Sequence, residues 1–281
     1  MTASARTSSR PDAAAGPAGS LGSRATATAV PPVAQARGQA PALIVIFARA
    51  PVPGRVKTRL VPALGARRAA WLHAELVEHT LEVAVRAGCG PVELFVTPRR
   101  DHPFFLECAS RFGVRVRTQG RGDLGERMFT SFARSLRSHD RVILIGSDCP
   151  ALRARDLQRA GRRLDGGVDA VISPAEDGGY ALIGLRGCSR QLFRGIAWGG
   201  PDVLAQTERR FQALGWRWER LRTVWDVDRP EDVARLERCR WWPRTRATRR
   251  GVRDVRSEDG GSSPRPREDP HGRLRRGDLR S

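Results

Sequence analysis

Lysine occurs once in the chain, at Lys57, although Lys and Arg together number 50. An ammonium is a compact point charge where guanidinium is a planar fork, so a lone lysine in an arginine-rich chain marks a place where the point charge is wanted. Lys57 lies in Ala48-Arg49-Ala50-Pro51-Val52-Pro53-Gly54-Arg55-Val56-Lys57-Thr58-Arg59-Leu60. A Pro/Gly loop exposes backbone N–H groups, and Arg49, Arg55, Lys57 and Arg59 surround this one with cations. That combination suits a di- or triphosphate. The G-x-x-x-x-G-K-[ST] spacing of a Walker loop is absent, and the plain alternative is a solvated basic turn.

Three acidic stretches follow. Gly146-Ser147-Asp148-Cys149-Pro150 sets one carboxylate after an apolar run. There it can hold Mg²⁺ or Mn²⁺, which take oxygen ligands and keep several waters, or cap the next helix. Glu176-Asp177-Gly178-Gly179-Tyr180 pairs two carboxylates with two glycines and the single tyrosine. The glycines permit either close backbone approach to a ligand or a hairpin turn with Tyr180 packed on the sheet. In Asp226-Val227-Asp228-Arg229-Pro230-Glu231-Asp232, Asp228 reads as the N-cap of a capping box with Glu231. Equally, it reads as a second metal carboxylate opposite Asp148. Gly120-Arg121-Gly122-Asp123-Leu124-Gly125 matches the dinucleotide fingerprint nominally, but it follows the third strand and would set Asp123 against a pyrophosphate. NAD is not expected.

The elements that must position these residues alternate. Leu43–Ala48 is a continuous apolar run, as in a strand buried on both faces. Ala66–Ala87 has helical spacing, with Leu72, Leu76, Val83 and Ala84 on one face and Gly88 as its stop. Strands are expected at Val92–Val96, Val114–Arg117, Val142–Ile145, Ala170–Ser173, Ala181–Leu185 and Glu219–Trp225. Helices are expected at Phe104–Arg111, Glu126–Leu136, Arg155–Leu164, Val203–Leu214 and Glu231–Arg238. This alternation predicts an α/β fold, a mostly parallel mixed sheet with helices on both faces. In such sheets ligands lie beyond the carboxyl ends of the strands, where all the stretches above fall.

Residues 1–41 and 239–281 carry no periodic apolar pattern and read as disordered tails around a domain at 42–238. They hold about half of the formal charge of +20. A basic tail of this kind is a solvating segment, and sequence-specific nucleic-acid binding is not expected. Cys89, Cys108, Cys149, Cys188 and Cys239 are scattered without C-x-x-C spacing, which argues against a disulfide framework or a zinc knuckle. No run approaches the roughly 18 apolar residues of a membrane span and no secretory h-region is visible, so the expected location is cytoplasmic.

Taken together, FARAPVPGRVKTRL, GDLGERM, GSDCP, SPAEDGGYALIGL, WGG and DVDRPEDV resemble a bacterial family of GT-A-like glycosyltransferases, some linked to arsenosugar biosynthesis. More distantly they are similar to nucleotidyltransferases such as phospholactate guanylyltransferase. The resemblance spans about Leu43 to Leu236. It implies a nucleotide-diphospho-sugar transferase fold of GT-A type, with the first-strand loop holding the nucleotide and Asp148 a metal. The implied reaction is metal-dependent transfer from a nucleotide-sugar to a small-molecule acceptor. Arg49, Gly54, Lys57, Arg59, Gly178, Gly179 and Tyr180 would bind substrate, Asp148 and Asp228 would hold Mg²⁺ or Mn²⁺, and Asp177 and Lys57 would act in catalysis. GT-A glycosyltransferases usually carry D-x-D where this chain has Ser147-Asp148-Cys149-Pro150. A lone Asp before Pro looks more like a nucleotidyltransferase joining an NTP to a phosphorylated small molecule with release of pyrophosphate.

The tail boundaries predict that limited proteolysis cuts before Pro41 and after Cys239 and leaves a body that keeps its thermal transition. Loss of that transition on trimming would contradict them.

Overall fold

The computed structural model of the protein describes residues 40–239. The expected tails lie outside these residues except at their inner ends. Seven strands form one sheet in the order β3-β2-β1-β4-β6-β5-β7. They are β1 (Leu43–Arg49), β2 (Val92–Thr97), β3 (Arg115–Thr118), β4 (Val142–Gly146), β5 (Ala170–Pro174), β6 (Tyr180–Leu185) and β7 (Trp218–Arg220). β1 pairs in parallel with β2 and β4, and β2 with β3. β6 runs antiparallel to both β4 and β5, and β5 pairs in parallel with β7. Six strands therefore point one way. Because β6 is reversed, the turn that enters it also lies at their carboxyl edge.

The helices are α1 (Val61–Leu64), α2 (Ala66–Ala87), α3 (Pro103–Phe112), α4 (Leu124–Ser135), α5 (Ala154–Asp165), α6 (Arg190–Phe193), α7 (Val203–Ala213) and α8 (Pro230–Arg238). α2 begins and ends where its pattern says. Gly88 adopts φ 62° and its N–H closes on the Val85 carbonyl, a left-handed cap that a glycine takes without a Cβ penalty. A 3-10 turn at Thr58–Leu60, α1 and α6 have too few residues to show a period and were not legible as elements.

Alternation along β1 divides the core. Ile44, Ile46 and Ala48 face Val77, Leu81, Phe105, Leu157 and Leu164 of α2, α3 and α5. Leu43, Val45 and Phe47 face the layer of Met128, Phe132, Leu192 and Phe211 from α4, α6 and α7. A third cluster joins Leu60, Leu72, Leu76, Val227, Val233 and Leu236. It matters most for function, because it locks the loop after β1, the start of α2, the segment before α8 and α8 itself into one body.

The last strand is shorter than Glu219–Trp225. The β5–β6 ladder shifts register at Ser173/Pro174, Ser173 Oγ donates to the Arg222 carbonyl at 2.6 Å, and the Ala175–Val224 bridge stands alone. On the β7 side of β5 a side-chain bond thus interrupts the ladder, and beyond Arg220 the main chain pairs with β5 only irregularly, from Leu221 N–H to the Ile172 carbonyl and from Val224 N–H to the Pro174 carbonyl. Among the described residues no helix is long and apolar enough to cross a membrane, and the five cysteines are free thiols.

Leu72 is fully buried in the third cluster. Leu72→Ala is expected to cost about 2–5 kcal/mol in denaturant unfolding.

Candidate functional site at the carboxyl edge

Lys57 has φ 48° and ψ 42°, and among the described residues it alone has positive φ without being a glycine. A side chain in that region is strained. What holds it there is the ammonium. Nζ donates to the Val227 carbonyl at 2.6 Å and lies 2.7 Å from Asp148 Oδ1, with the side chain 5% exposed. Lys57 is therefore no open phosphate ligand on a basic turn, but a buried cation clamped under Asp148.

Asp148 follows β4. Its Oδ1 is sealed from solvent while the side chain as a whole is 47% exposed, so Oδ2 is the oxygen left toward the cleft. Burial opposes its charge, but Lys57 and the neighbouring His73 outweigh burial and hold the carboxyl well below the usual range. It caps nothing: α5 starts at Ala154, where the Asp156 carboxylate accepts from the Arg153 N–H at 2.8 Å.

The segment Trp225–Asp228 lies against this strand end. Val227 N–H donates to the Asp148 carbonyl at 2.9 Å, and Cys149 Sγ donates to the Trp225 carbonyl at 2.9 Å. Burial pushes the Cys149 thiol up to about 12, which leaves it a structural donor rather than a nucleophile. Val227 is fully buried, so its two neighbours turn toward the opposite side.

The capping box expected from Asp228 and Glu231 is displaced by one residue. Arg229 is the N-cap, and Asp232 accepts from the N–H groups of Asp228 and Arg229 at 2.9 and 2.7 Å. With Asp232 capping α8, the Asp228 carboxylate is released from that duty and forms an exposed ion pair with Arg59. Asp226 was not singled out in the sequence. Burial first, then repulsion from Asp177, raise its carboxyl to about 6; Lys57 opposes the shift and Asp148 adds to it. Asp148, Asp177 and Asp226 thus share one field.

Asp177 Oδ1 accepts from the Gly179 N–H at 2.9 Å, which rigidifies the β5–β6 turn. Glu176 is committed to Arg235 by two bonds of 2.6 and 3.1 Å, and Arg235 stacks on Trp225 at 4.4 Å. Gly178 has φ 88°, and a Cβ there would sit 2.0 Å from the Pro201 carbonyl oxygen. Its close approach is to the chain's own loop. The Tyr180 hydroxyl donates to Met128 Sδ at 3.8 Å and the ring packs against the α4 layer, so burial raises the phenol. The hairpin alternative describes Gly178 and Tyr180 better than ligand contact does. Arg49, Gly54 and Arg55 are exposed at the mouth of the first loop, Gly54 with φ 74° and open space around it.

His73 on α2 completes the surroundings of Asp148. It is 4% exposed, its Nε2 lies 2.9 Å from the Arg49 carbonyl oxygen, and its Nδ1 lies 3.6 Å from Asp148 Oδ1. In sequence it is one polar position in a helix, with no motif around it. In the fingerprint-like stretch, Asp123 caps α4 with its own carboxylate at 2.8 Å from the Glu126 N. A Cβ on Gly125 would meet Phe193 and Trp198. That helix end is closed to a pyrophosphate by its own acid.

Among the described residues no three His, Cys, Asp or Glu side chains are grouped as a protein-only metal cage. One or two carboxylates completed by waters and substrate phosphates are enough for Mg²⁺ or Mn²⁺. The half-open Asp148 fits that donor set.

The seven-stranded, mostly parallel sheet with its helices has the nucleotide-diphospho-sugar transferase fold. A candidate nucleotide-diphospho-sugar transferase from Desulfovibrio desulfuricans G20 is 31% identical, with a TM-score of 0.65, over 75% of this chain and 91% of that one. The chain belongs to the same family as this protein. The family model described as "Uncharacterized protein conserved in bacteria (DUF2064)" matches residues 80–200. Two further structures are similar at 16% identity. CMP:2-keto-3-deoxy-manno-octonic acid synthetase complexed with CTP has a TM-score of 0.46 over 72% of this chain and 99% of its own. Glucosyl-3-phosphoglycerate synthase from Mycobacterium tuberculosis, with Mn²⁺ and UDP, has a TM-score of 0.44 over 71% and 80%. No curated protein matches.

The raised Asp226 carboxyl gives a pH prediction. Its folded value of about 6 exceeds the unfolded value of about 3.9, so the folded state holds this proton more tightly. The group's contribution is complete below about pH 4 and is lost as pH rises through about 6. Asp226→Asn is therefore expected to gain about 1–3 kcal/mol in urea unfolding at pH 8 and almost nothing at pH 4. A gain independent of pH would assign the effect to packing.

Proposed function

We propose that the protein is a metal-dependent glycosyltransferase using a nucleotide-sugar donor and a small-molecule acceptor. The observation that carries this reading is the Asp148 carboxylate, with Oδ1 held by Lys57 and Oδ2 left open beside the basic loop after β1. The relationship to the Desulfovibrio protein supports the reaction class.

Asp148 Oδ2, with Asp228 as second carboxylate, would hold Mg²⁺ or Mn²⁺. When bound, such an ion neutralises the diphosphate leaving group. Arg49, Arg59 and the backbone around Gly54 bind the phosphates from the first-strand loop. Lys57 acts from beneath, fixing Asp148 and adding positive charge where the leaving group gains negative charge. Asp177, with Oδ1 tied to Gly179, keeps Oδ2 for the acceptor hydroxyl. The acceptor oxygen bonds to the anomeric carbon, the bond from that carbon to the phosphate oxygen breaks, and the nucleoside diphosphate leaves with the electron pair. The hydroxyl proton passes to Asp177.

A second reading is favoured by one feature, the lone Asp148 before Cys149-Pro150 in place of D-x-D. A nucleotidyltransferase would use the same edge for attack of a substrate phosphate oxygen on the α-phosphorus of an NTP, with pyrophosphate leaving and no strong base required. Incubation with a labelled panel of nucleotides and nucleotide-sugars separates the two. Nucleoside diphosphate release supports glycosyl transfer, and pyrophosphate release supports nucleotidyl transfer.

In either case Asp148→Asn is expected to lower metal-dependent turnover by about 10²–10³ with the fold intact. Asp228→Asn tests the second carboxylate separately. Because Asp232 caps α8, this substitution touches only the pairing with Arg59 and any metal contact, so wild-type turnover and metal affinity would remove Asp228 from the site. Lys57→Ala is expected to weaken nucleotide binding more than Arg55→Ala, because it also frees Asp148. Equal small effects in calorimetry would leave Lys57 a structural clamp with no part in nucleotide binding.

A further inference from the structure

We propose that His73 is a positioning residue for Asp148, tying the end of β1 to the carboxylate at the end of β4 so that Oδ2 alone faces the cleft. The proposal rests on the reading of Asp148 as the carboxylate that meets a divalent cation.

His73 is 4% exposed, and a histidine buried on a helix face is ordinarily satisfied by its neighbours. Here only one end is. A carbonyl oxygen only accepts, so the 2.9 Å contact to Arg49 makes Nε2 the donor and fixes the ring's orientation. Nδ1 can hold a carboxylate oxygen only as a donor, so the ring acts here as an imidazolium with both nitrogens protonated. Nδ1 is buried and without a hydrogen-bond partner, and the polar atom it faces is Asp148 Oδ1, 3.6 Å away. That is longer than a hydrogen bond, and contacts in active sites commonly tighten when ligand binds. Lys57 Nζ approaches the same oxygen at 2.7 Å. Oδ1 therefore lies between an ammonium and an imidazole, both sealed from water, and rotation of the carboxylate would carry Oδ2 into that closed space. The Arg49 carbonyl that anchors His73 opens the basic loop, so the same side chain sets the distance between the phosphate-facing loop and the carboxylate. Partners one step behind a metal ligand typically carry ten- to hundredfold in metal affinity or activity.

Two amides divide the ring's functions. A Gln amide reaches as far as Nε2 and keeps the bond to Arg49, whereas an Asn amide reaches as far as Nδ1 and keeps a polar group on Asp148. The test is the full chain carrying His73→Gln or His73→Asn, with crystal structures of each and binding of Mn²⁺ alone followed by electron paramagnetic resonance. His73→Gln is expected to keep the wild-type thermal midpoint, show Asp148 turned off Lys57 or split between two rotamers, and lose ten- to hundredfold in Mn²⁺ affinity. His73→Asn is expected to keep Asp148 in place and Mn²⁺ affinity within about threefold. Asp148 unmoved with wild-type Mn²⁺ affinity in His73→Gln would overturn the proposal. So would failure of His73→Gln to fold, or parallel loss of affinity and thermal midpoint in both variants, since His73 would then be a strut. A wild-type chain that binds no Mn²⁺ would remove the metal reading instead, and the position of Asp148 in the two crystal structures would still decide the role of His73.

Discussion

An ammonium cannot be buried without acceptors, and the arrangement around Lys57 follows from that constraint. With the side chain 5% exposed, loss of a partner would leave a charge in low dielectric at a cost of several kcal/mol. Its acceptors come from two distant parts of the chain: the Asp148 carboxylate after β4 and the Val227 carbonyl before α8. Lys57 itself belongs to the loop after β1. One point charge therefore sets three loops against one another, and the left-handed backbone at Lys57 is the local strain that this requires. A guanidinium is larger and planar, and this explains why the one lysine of an arginine-rich chain stands here.

Carboxylates at the same edge divide sharply by partner. Asp156, Glu176 and Asp232 are committed to architecture, on Arg222, on Arg235 and on the start of α8. Asp148 and Asp226 share a field with Lys57, in which Asp148 is driven toward the charged form and Asp226 toward the protonated one. Burial and neighbouring charge thus push two nearby carboxyl groups apart in their affinity for protons.

The paired glycines show how a motif can have a physical reason other than its apparent one. Gly178 admits the Pro201 carbonyl, and Gly125 admits Phe193 and Trp198. Gly178 sets the turn that carries Asp177 against Pro201, and Gly125 sets the start of α4 against Phe193 and Trp198. At each of these positions the missing Cβ lets two stretches of chain pack closely.

The order of the strands and longer helices, the mostly parallel sheet and the carboxyl-edge location of Lys57, Asp148, Asp177 and Asp228 were readable from the sequence. Apolar periodicity is local, and a strand's end follows from where its run stops. α2 ended where Gly88 said it would, and β4 carried its carboxylate just past the apolar run. Other features were decided only by the tertiary structure. His73 and Asp226 gained their significance from neighbours far away in the chain, and no spacing rule reports such contacts. Asp228 lost the cap to Asp232 by a one-residue shift in where α8 begins, a choice set by Val227, Val233 and Leu236 packing into the cluster beside α2. Tyr180 turned inward because Met128 and the α4 layer cover its side of the sheet. Residue type and period determine what can form locally. Which of several possible partners a polar side chain takes is settled by burial, once distant segments have packed and an unmatched charge can no longer reach water.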